Sequence, residues 1–250
     1  MDEQTVLWHL GPFDVNARTL IMTWVTMLAV LIFCFAATRK ISQTKPKGAQ
    51  NVLEWVFEFI RGLINENMDW EKGKSLYAYL VTLIIFVLFS NMLGLFPNIT
   101  FHLFDHVKTW QLDEIFSEPI LMSPTADVNT TAGLAILSIL LSIVYGIRFQ
   151  KGHYFKHFLE PYPPFVIIHL VEMVTKPLTL AMRLFGNIFA GELLIKVILT
   201  AMPIMALWFG GFLLDTIWIG FSVFVGVIQS FIFTVLTIVY VSQTVGSAEH

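Results

Sequence analysis

Arg183 sits inside an apolar run, Leu180-Ala181-Met182-Arg183-Leu184-Phe185-Gly186-Asn187-Ile188-Phe189-Ala190-Gly191-Glu192. A guanidinium keeps its proton in a protein because its pKa exceeds about 12, so burial does not discharge it. At the centre of a membrane helix such a charge costs roughly 2.5–3.5 kcal/mol on insertion scales. It needs an anionic partner or a wet cavity, and no carboxylate stands three or four positions away to supply one within its own helix. At about 100° per residue, Glu172, Lys176, Thr179, Arg183, Asn187 and Ala190 fall in one narrow stripe. Glu192 and Lys196 fall nearly opposite. A fixed cation of this kind stabilises an approaching carboxylate as the anion and promotes release of its proton, which is the chemistry of ion transfer.

A second stripe follows. Asp215, Ser222, Gly226, Gln229 and Phe233 share one face of the last apolar stretch. If the two stretches are antiparallel about a turn at 201–204, Glu192 and Asp215 lie at similar depth near the outer surface. Arg183 and Gln229 then lie deeper, and Glu172 and Lys176 nearest the cytoplasm. Plainer roles exist for most of these. Glu172–Lys176 and Glu192–Lys196 have the order of helical i,i+4 ion pairs. Asn187 and Gln229 suit amide cross-links between membrane helices, and Gly186, Gly191 and Gly226 suit close helix approach.

The elements that carry these residues follow from composition and order. Of 250 residues, 56% are hydrophobic and 13% charged, about half the charge fraction of a soluble domain. The class is an all-α polytopic membrane protein. A net charge of −3 without a basic cluster gives no sign of nucleic-acid binding. Cys34 is alone, which excludes an internal disulfide. The first residues lack a basic n-region and the first apolar segment is long enough to span, so it is expected to stay in the mature protein.

Thr19 to Ala37 forms the first span, and Arg39, Lys40, Lys45 and Lys47 follow it. By the positive-inside rule that loop is cytoplasmic and the N-terminus outside. Residues 49–66 carry Glu54, Glu58, Arg61 and Asn65 at helical spacing among apolar positions. This predicts an amphipathic helix, lying on the membrane surface or a partner, or packed as a connector on its own protein. A second span runs from Tyr77 to about Phe96, with Gly94 and Pro97 punctuating its end. An acidic, external stretch over 98–127 leads to a cap region with Thr125 or Asp127 as the capping residue. Thr130 to Ile147 is the third span, returning to Arg148, Lys151 and Lys156 on the inside.

Beyond Pro161, Pro163 and Pro164 comes a hairpin of two helices, roughly 165–200 and 205–243. The first would be about 54 Å long, against a hydrocarbon core of about 30 Å. It must tilt, leave the membrane or break at Pro177; strong tilt is the expectation. The whole reads as one membrane domain over 1–250. It comprises a span and surface helix (1–75), two central spans with an acidic external loop (76–160) and the hairpin (161–250). That makes about five membrane helices besides the amphipathic one.

Arg183-Leu184-Phe185-Gly186-Asn187-Ile188-Phe189-Ala190-Gly191-Glu192 resembles the signature of subunit a of F-type ATP synthases. Three further segments do so too, in the family's order: Asn91-Met92-Leu93-Gly94-Leu95-Phe96-Pro97, Pro124-Thr125-Ala126-Asp127 and Gln229-Ser230-Phe231-Ile232-Phe233-Thr234-Val235-Leu236-Thr237. The resemblance implies a stator that carries ions, most simply protons, through two half-channels at a rotating ring of c subunits. Peripheral-stalk b subunits, the rest of the synthase and membrane lipid are its implied partners, and no cofactor or metal is implied. In the family the arginine matching Arg183 faces the ring and blocks direct leakage, and the positions matching Asn187, Glu192 and Gln229 line or support the ion path. Ser222 departs from members that have histidine there, and Asp215 is a candidate for the missing ionisable group. The implied location is a bacterial plasma membrane with the N-terminus outside and the C-terminus inside; a thylakoid membrane is the alternative. The chain has no Gly-rich, Lys-Ser/Thr nucleotide motif, so ATP chemistry is expected on other subunits. Three rival readings are a passive anchor, a self-contained channel and an intramembrane hydrolase using Ser222. The last lacks a nucleophile-elbow pattern.

Overall fold

The computed structural model describes residues 7–10, 13–39, 41–42, 46–94, 122–150, 165–201 and 212–246. Two short strands, β1 (Leu7–Leu10) and β2 (Phe13–Asn16), pair antiparallel ahead of the first helix. Seven α-helices follow among the described residues: α1 (Ala17–Thr38), α2 (Ala49–Asn67), α3 (Trp70–Gly73), α4 (Tyr77–Leu93), α5 (Val128–Gln150), α6 (Phe165–Ala201) and α7 (Phe212–Gly246). A 3-10 turn, Pro124–Ala126, precedes α5. Helices α1, α5 and the Thr216–Gly246 part of α7 are long and apolar enough to cross a membrane, and α4 is a shorter apolar helix. The all-α membrane reading holds, with the N-terminal hairpin as an addition that the polar start of the chain did not announce.

Helix starts are fixed by side chains. The Asn16 carboxamide accepts from the Arg18 N–H at 3.1 Å and caps α1. The Asp127 carboxylate accepts from the Asn129 N–H at 2.7 Å and caps α5. Thr125, the other capping candidate, is spent elsewhere: its hydroxyl donates to Asn91 Oδ1 at 2.7 Å in the interior. Asp127 also accepts from the Thr19 hydroxyl at 3.0 Å, which ties the start of α1 to the start of α5.

Helix α7 is the central element and packs on α4, α5, α6 and α2. Its inward stripe is Ser222, Gly226, Gln229, Ser230, Phe233, Thr234, Thr237, Ile238, Val241 and Val245, a run of threes and fours. The hydroxyls of Ser230, Thr234 and Thr237 donate to carbonyls one turn back on α7 itself, at 2.7–2.9 Å. Small residues satisfied in this way let neighbouring helices approach closely, the usual device where lipid removes the hydrophobic drive between helices. A Cβ on Gly226 would meet Asn91 Cβ at 3.3 Å, so this glycine sets the approach of α7 to α4.

Two packed clusters result. One joins α1, α2, α4, α5 and α7 through Val30, Leu53, Ile60, Leu80, Tyr145 and Ile238. The other joins α4, α5, α6 and α7 through Val87, Ala135, Leu180, Leu184, Ile188 and Phe233. Of the two positions open to the amphipathic helix, α2 takes the connector's place on one face: Leu53, Ile60 and Ile64 are buried against its own chain. Its opposite face leaves Val52 and Trp55 exposed.

Helix α6 runs unbroken through Pro177 for 37 residues. The proline does not divide it. At 1.5 Å per residue it extends about 56 Å, so it fits a bilayer only by tilting or projecting.

Candidate functional site

Packing splits α6 into faces. Leu180, Ala181, Leu184 and Ile188 are buried toward α4, α5 and α7. The stripe Glu172, Thr179, Arg183, Asn187 and Ala190 is exposed, with Lys176 half-buried on the same side. Arg183 thus points away from its own core, flanked by exposed apolar side chains such as Leu178, Met182 and Phe189. Among the described residues none makes a hydrogen bond or ion pair with the guanidinium. A permanent charge is held on an exposed, apolar flank with no anion against it among the described residues.

At the same level Asn187 Nδ2 donates to Gln229 Oε1 at 2.9 Å, joining α6 to α7. Gln229 is 1% exposed, and its Nε2 is left without a partner among the described atoms. A buried amide donor so placed costs about 1–3 kcal/mol unless something outside the chain or a water accepts from it.

One turn farther along α6, a cavity of about 170 Å³ opens between α4, α6 and α7. Asn91, Asn187, Gly191, Glu192, Trp218 and Ser222 are among the residues lining it. Glu192 is half-buried and its Oε1 accepts from the backbone N–H of Ser123 at 2.9 Å. Ser222 is 8% exposed and its hydroxyl has no partner among the described residues. The Trp218 indole N–H donates to the Gly191 carbonyl at 3.1 Å and closes one side. The lining is mostly apolar, with Asn91, Asn187, Glu192 and the Ser222 hydroxyl as polar groups facing the space.

Behind the carboxylate lies a buried hydrogen-bonded chain. The Ser123 hydroxyl donates to the Ser90 carbonyl at 2.7 Å and lies 2.7 Å from the Thr125 hydroxyl. Thr125 donates to Asn91 Oδ1, and Asn91 Nδ2 donates to the Gly226 carbonyl at 3.0 Å. The end of α4, the turn before α5, and helices α6 and α7 are pinned around Glu192 by this chain.

Of the residues singled out from sequence, Asn187, Glu192, Gln229 and Ser222 are brought together. Arg183 stands on the other side of α6 from Glu192, as the spacing predicts. Glu192 sits level with Trp218 and Ser222, and Asp215 lies about one turn farther toward the start of α7. The Asp215 and Lys196 side chains lie outside the described residues. Glu172 and Lys176 make their helical ion pair at 3.4 Å, and Lys176 Nζ is 5.7 Å from the Tyr240 ring centre. Sequence reasoning gave no site role to Asn91, Ser123, Thr125 or Trp218. Asn91 and Thr125 lay within segments that resemble the family's, and Thr125 was otherwise read only as a capping candidate.

A helical bundle with an exposed cation on one flank of a long helix and a half-buried carboxylate on the other defines an all-α polytopic membrane protein. Residues 20–242 match the ATP synthase A chain family. The chain is 42% identical to ATP synthase subunit a of Desulforamulus reducens, across 94% of this chain and 82% of that one. It is 39% identical to ATP synthase subunit a of Oceanobacillus iheyensis across 99% of each. The Staphylococcus epidermidis protein of the same name is 38% identical across 98% of each. The chain belongs to the ATP synthase A chain family.

Proposed function

We propose that this chain is the ion-carrying stator of an F-type ATP synthase and passes protons between two half-channels and a rotating ring of c subunits. The single observation that carries this reading is Arg183: exposed, set among apolar side chains and without a hydrogen bond or ion pair among the described residues. An anion on a partner must answer it, and a carboxylate carried past on a ring does so transiently. The guanidinium stabilises each arriving carboxylate in its ionised form, so the carboxylate gives its proton to the inner path and takes another from the outer path before leaving. Desolvation must nearly match the attraction, or the ring would stop.

In this scheme the cavity beside Glu192 and Ser222 is the outer path. Serine does not titrate here, so water and Glu192 carry the proton, with Asp215 nearer the outside as a further ionisable group. Asn187 and Gln229 hold α6 and α7 together where the path meets the ring. Glu172 and Lys176 mark the inner path. Moving one charge through 100 mV supplies about 2.3 kcal/mol, so several ions are needed for each ATP. Membrane placement with the N-terminus outside, in a bacterial plasma membrane, and anchoring by peripheral-stalk b subunits belong to the same proposal.

The test uses two substitutions in the assembled synthase in membrane vesicles. Arg183→Lys should abolish coupled synthesis and pumping while the complex assembles, because lysine gives up its proton when desolvated and lacks the planar fork. Asp215→Ala should slow uptake from the outer side alone. Normal synthesis in the lysine variant would overturn the central claim, and unchanged synthesis and pumping in the alanine variant would remove Asp215 from the path.

A further inference from the structure

We infer that Gly94 is a positioning residue for ion entry: the side chain missing at the end of α4 is the space that the Glu192 carboxylate occupies. Glycine at a helix end ordinarily supplies a left-handed backbone. Gly94 does not. Its φ of −72° and ψ of −8° are right-handed, open to any residue, so conformational freedom does not explain it. Space does. A Cβ built there would overlap Glu192 Oε1 and would stand 2.9 Å from Ser123 Cβ and 3.0 Å from Ser123 N. Those are the two ends of the hydrogen bond that orients the carboxylate. The other glycines at this level behave differently: a Cβ on Gly191 would meet Ser222 Oγ at an ordinary 3.5 Å, and one on Gly226 would press on Asn91 Cβ at 3.3 Å.

The nearest obstacle is the far end of a flexible side chain, and behind it the buried Ser123, with Cβ at 2.9 Å and N at 3.0 Å, must give way too. A methyl at position 94 therefore displaces the carboxylate first, moving the acid away from its bond to the Ser123 N–H, and presses on Ser123 as well. This inference rests on Glu192 belonging to the outer path.

The experiment is Gly94→Ala in the whole synthase, with Glu192→Gln and the double variant Gly94→Ala/Glu192→Asp beside it. Proton-driven synthesis is followed in membrane vesicles against external proton concentration. Gly94→Ala should assemble normally, lose roughly tenfold to a hundredfold in rate, the range for a group misplaced by about 1 Å, and change its half-saturating external proton concentration. Shortening the acid in the double variant should recover several-fold of the loss, since it withdraws the oxygen from the new methyl. A wild-type rate and external dependence in Gly94→Ala would overturn the inference. So would a loss without a change in half-saturation, or one the double variant does not relieve. If Gly94→Ala fails to assemble, assembly regained in the double variant supports the inference and continued failure overturns it. Silence of Glu192→Gln would instead remove Glu192 from the path and leave the packing argument to be judged on assembly alone.

Discussion

Single side chains around Glu192 do unequal work, and hydrogen-bond accounting separates them. Thr125 is the most exacting: its hydroxyl satisfies Asn91 Oδ1 inside a site where both residues are buried. Thr125→Val should leave that acceptor unpaired and destabilise the protein by about 1–3 kcal/mol. Thermal unfolding of the detergent-solubilised complex measures this as a lowered midpoint. Thr38→Val is the comparison. That hydroxyl is exposed and bonds only carbonyls of its own helix, so its loss should stay within about 0.5 kcal/mol. Both residues are threonines at helix boundaries, and only their surroundings tell them apart.

Among the elements, α2 shows how a periodic pattern leaves a choice open. Its apolar positions predict a helix with a greasy side, yet membrane, partner and own core all answer that description. Packing assigns Leu53, Ile60 and Ile64 to the core and leaves Val52 outside. Ile60→Ala should therefore cost roughly 2 kcal/mol or more through lost contacts and a partly unfilled cavity. Val52→Ser should leave the unfolding midpoint of the complex within experimental scatter. Equal effects of the two would mean that α2 is held by something other than its own chain. Helix α6 gives the contrary lesson, since Pro177 reads as a possible break and the surrounding turns simply carry it.

For the molecule as a whole, the exposed cation and the Glu192 carboxylate lie on different flanks of α6, and on the proposed reading ion transfer between them needs the ring. The isolated chain in liposomes should then show no proton flux above that of empty vesicles under an imposed potential. Adding a ring of c subunits should create flux that Arg183→Lys removes. Steady conduction by the chain alone would mean that it is a channel in its own right.

The sequence by itself determined the membrane class, the order of the long helices and the face of the last one that carries Ser222, Gly226, Gln229 and Phe233. Each of these depends on local hydrophobicity and helical period, which any stretch of twenty residues displays. It also marked Arg183, because a charge that resists neutralisation stands out in an apolar run whatever the fold. Only the tertiary structure decided that Asp127 caps α5 while Thr125 turns inward to Asn91, that Ser123 holds Glu192, and that Gly94 is small to make room rather than to turn the chain. Those facts depend on residues tens of positions apart meeting at distances of about 3 Å, and no periodicity along one strand of sequence encodes such a meeting.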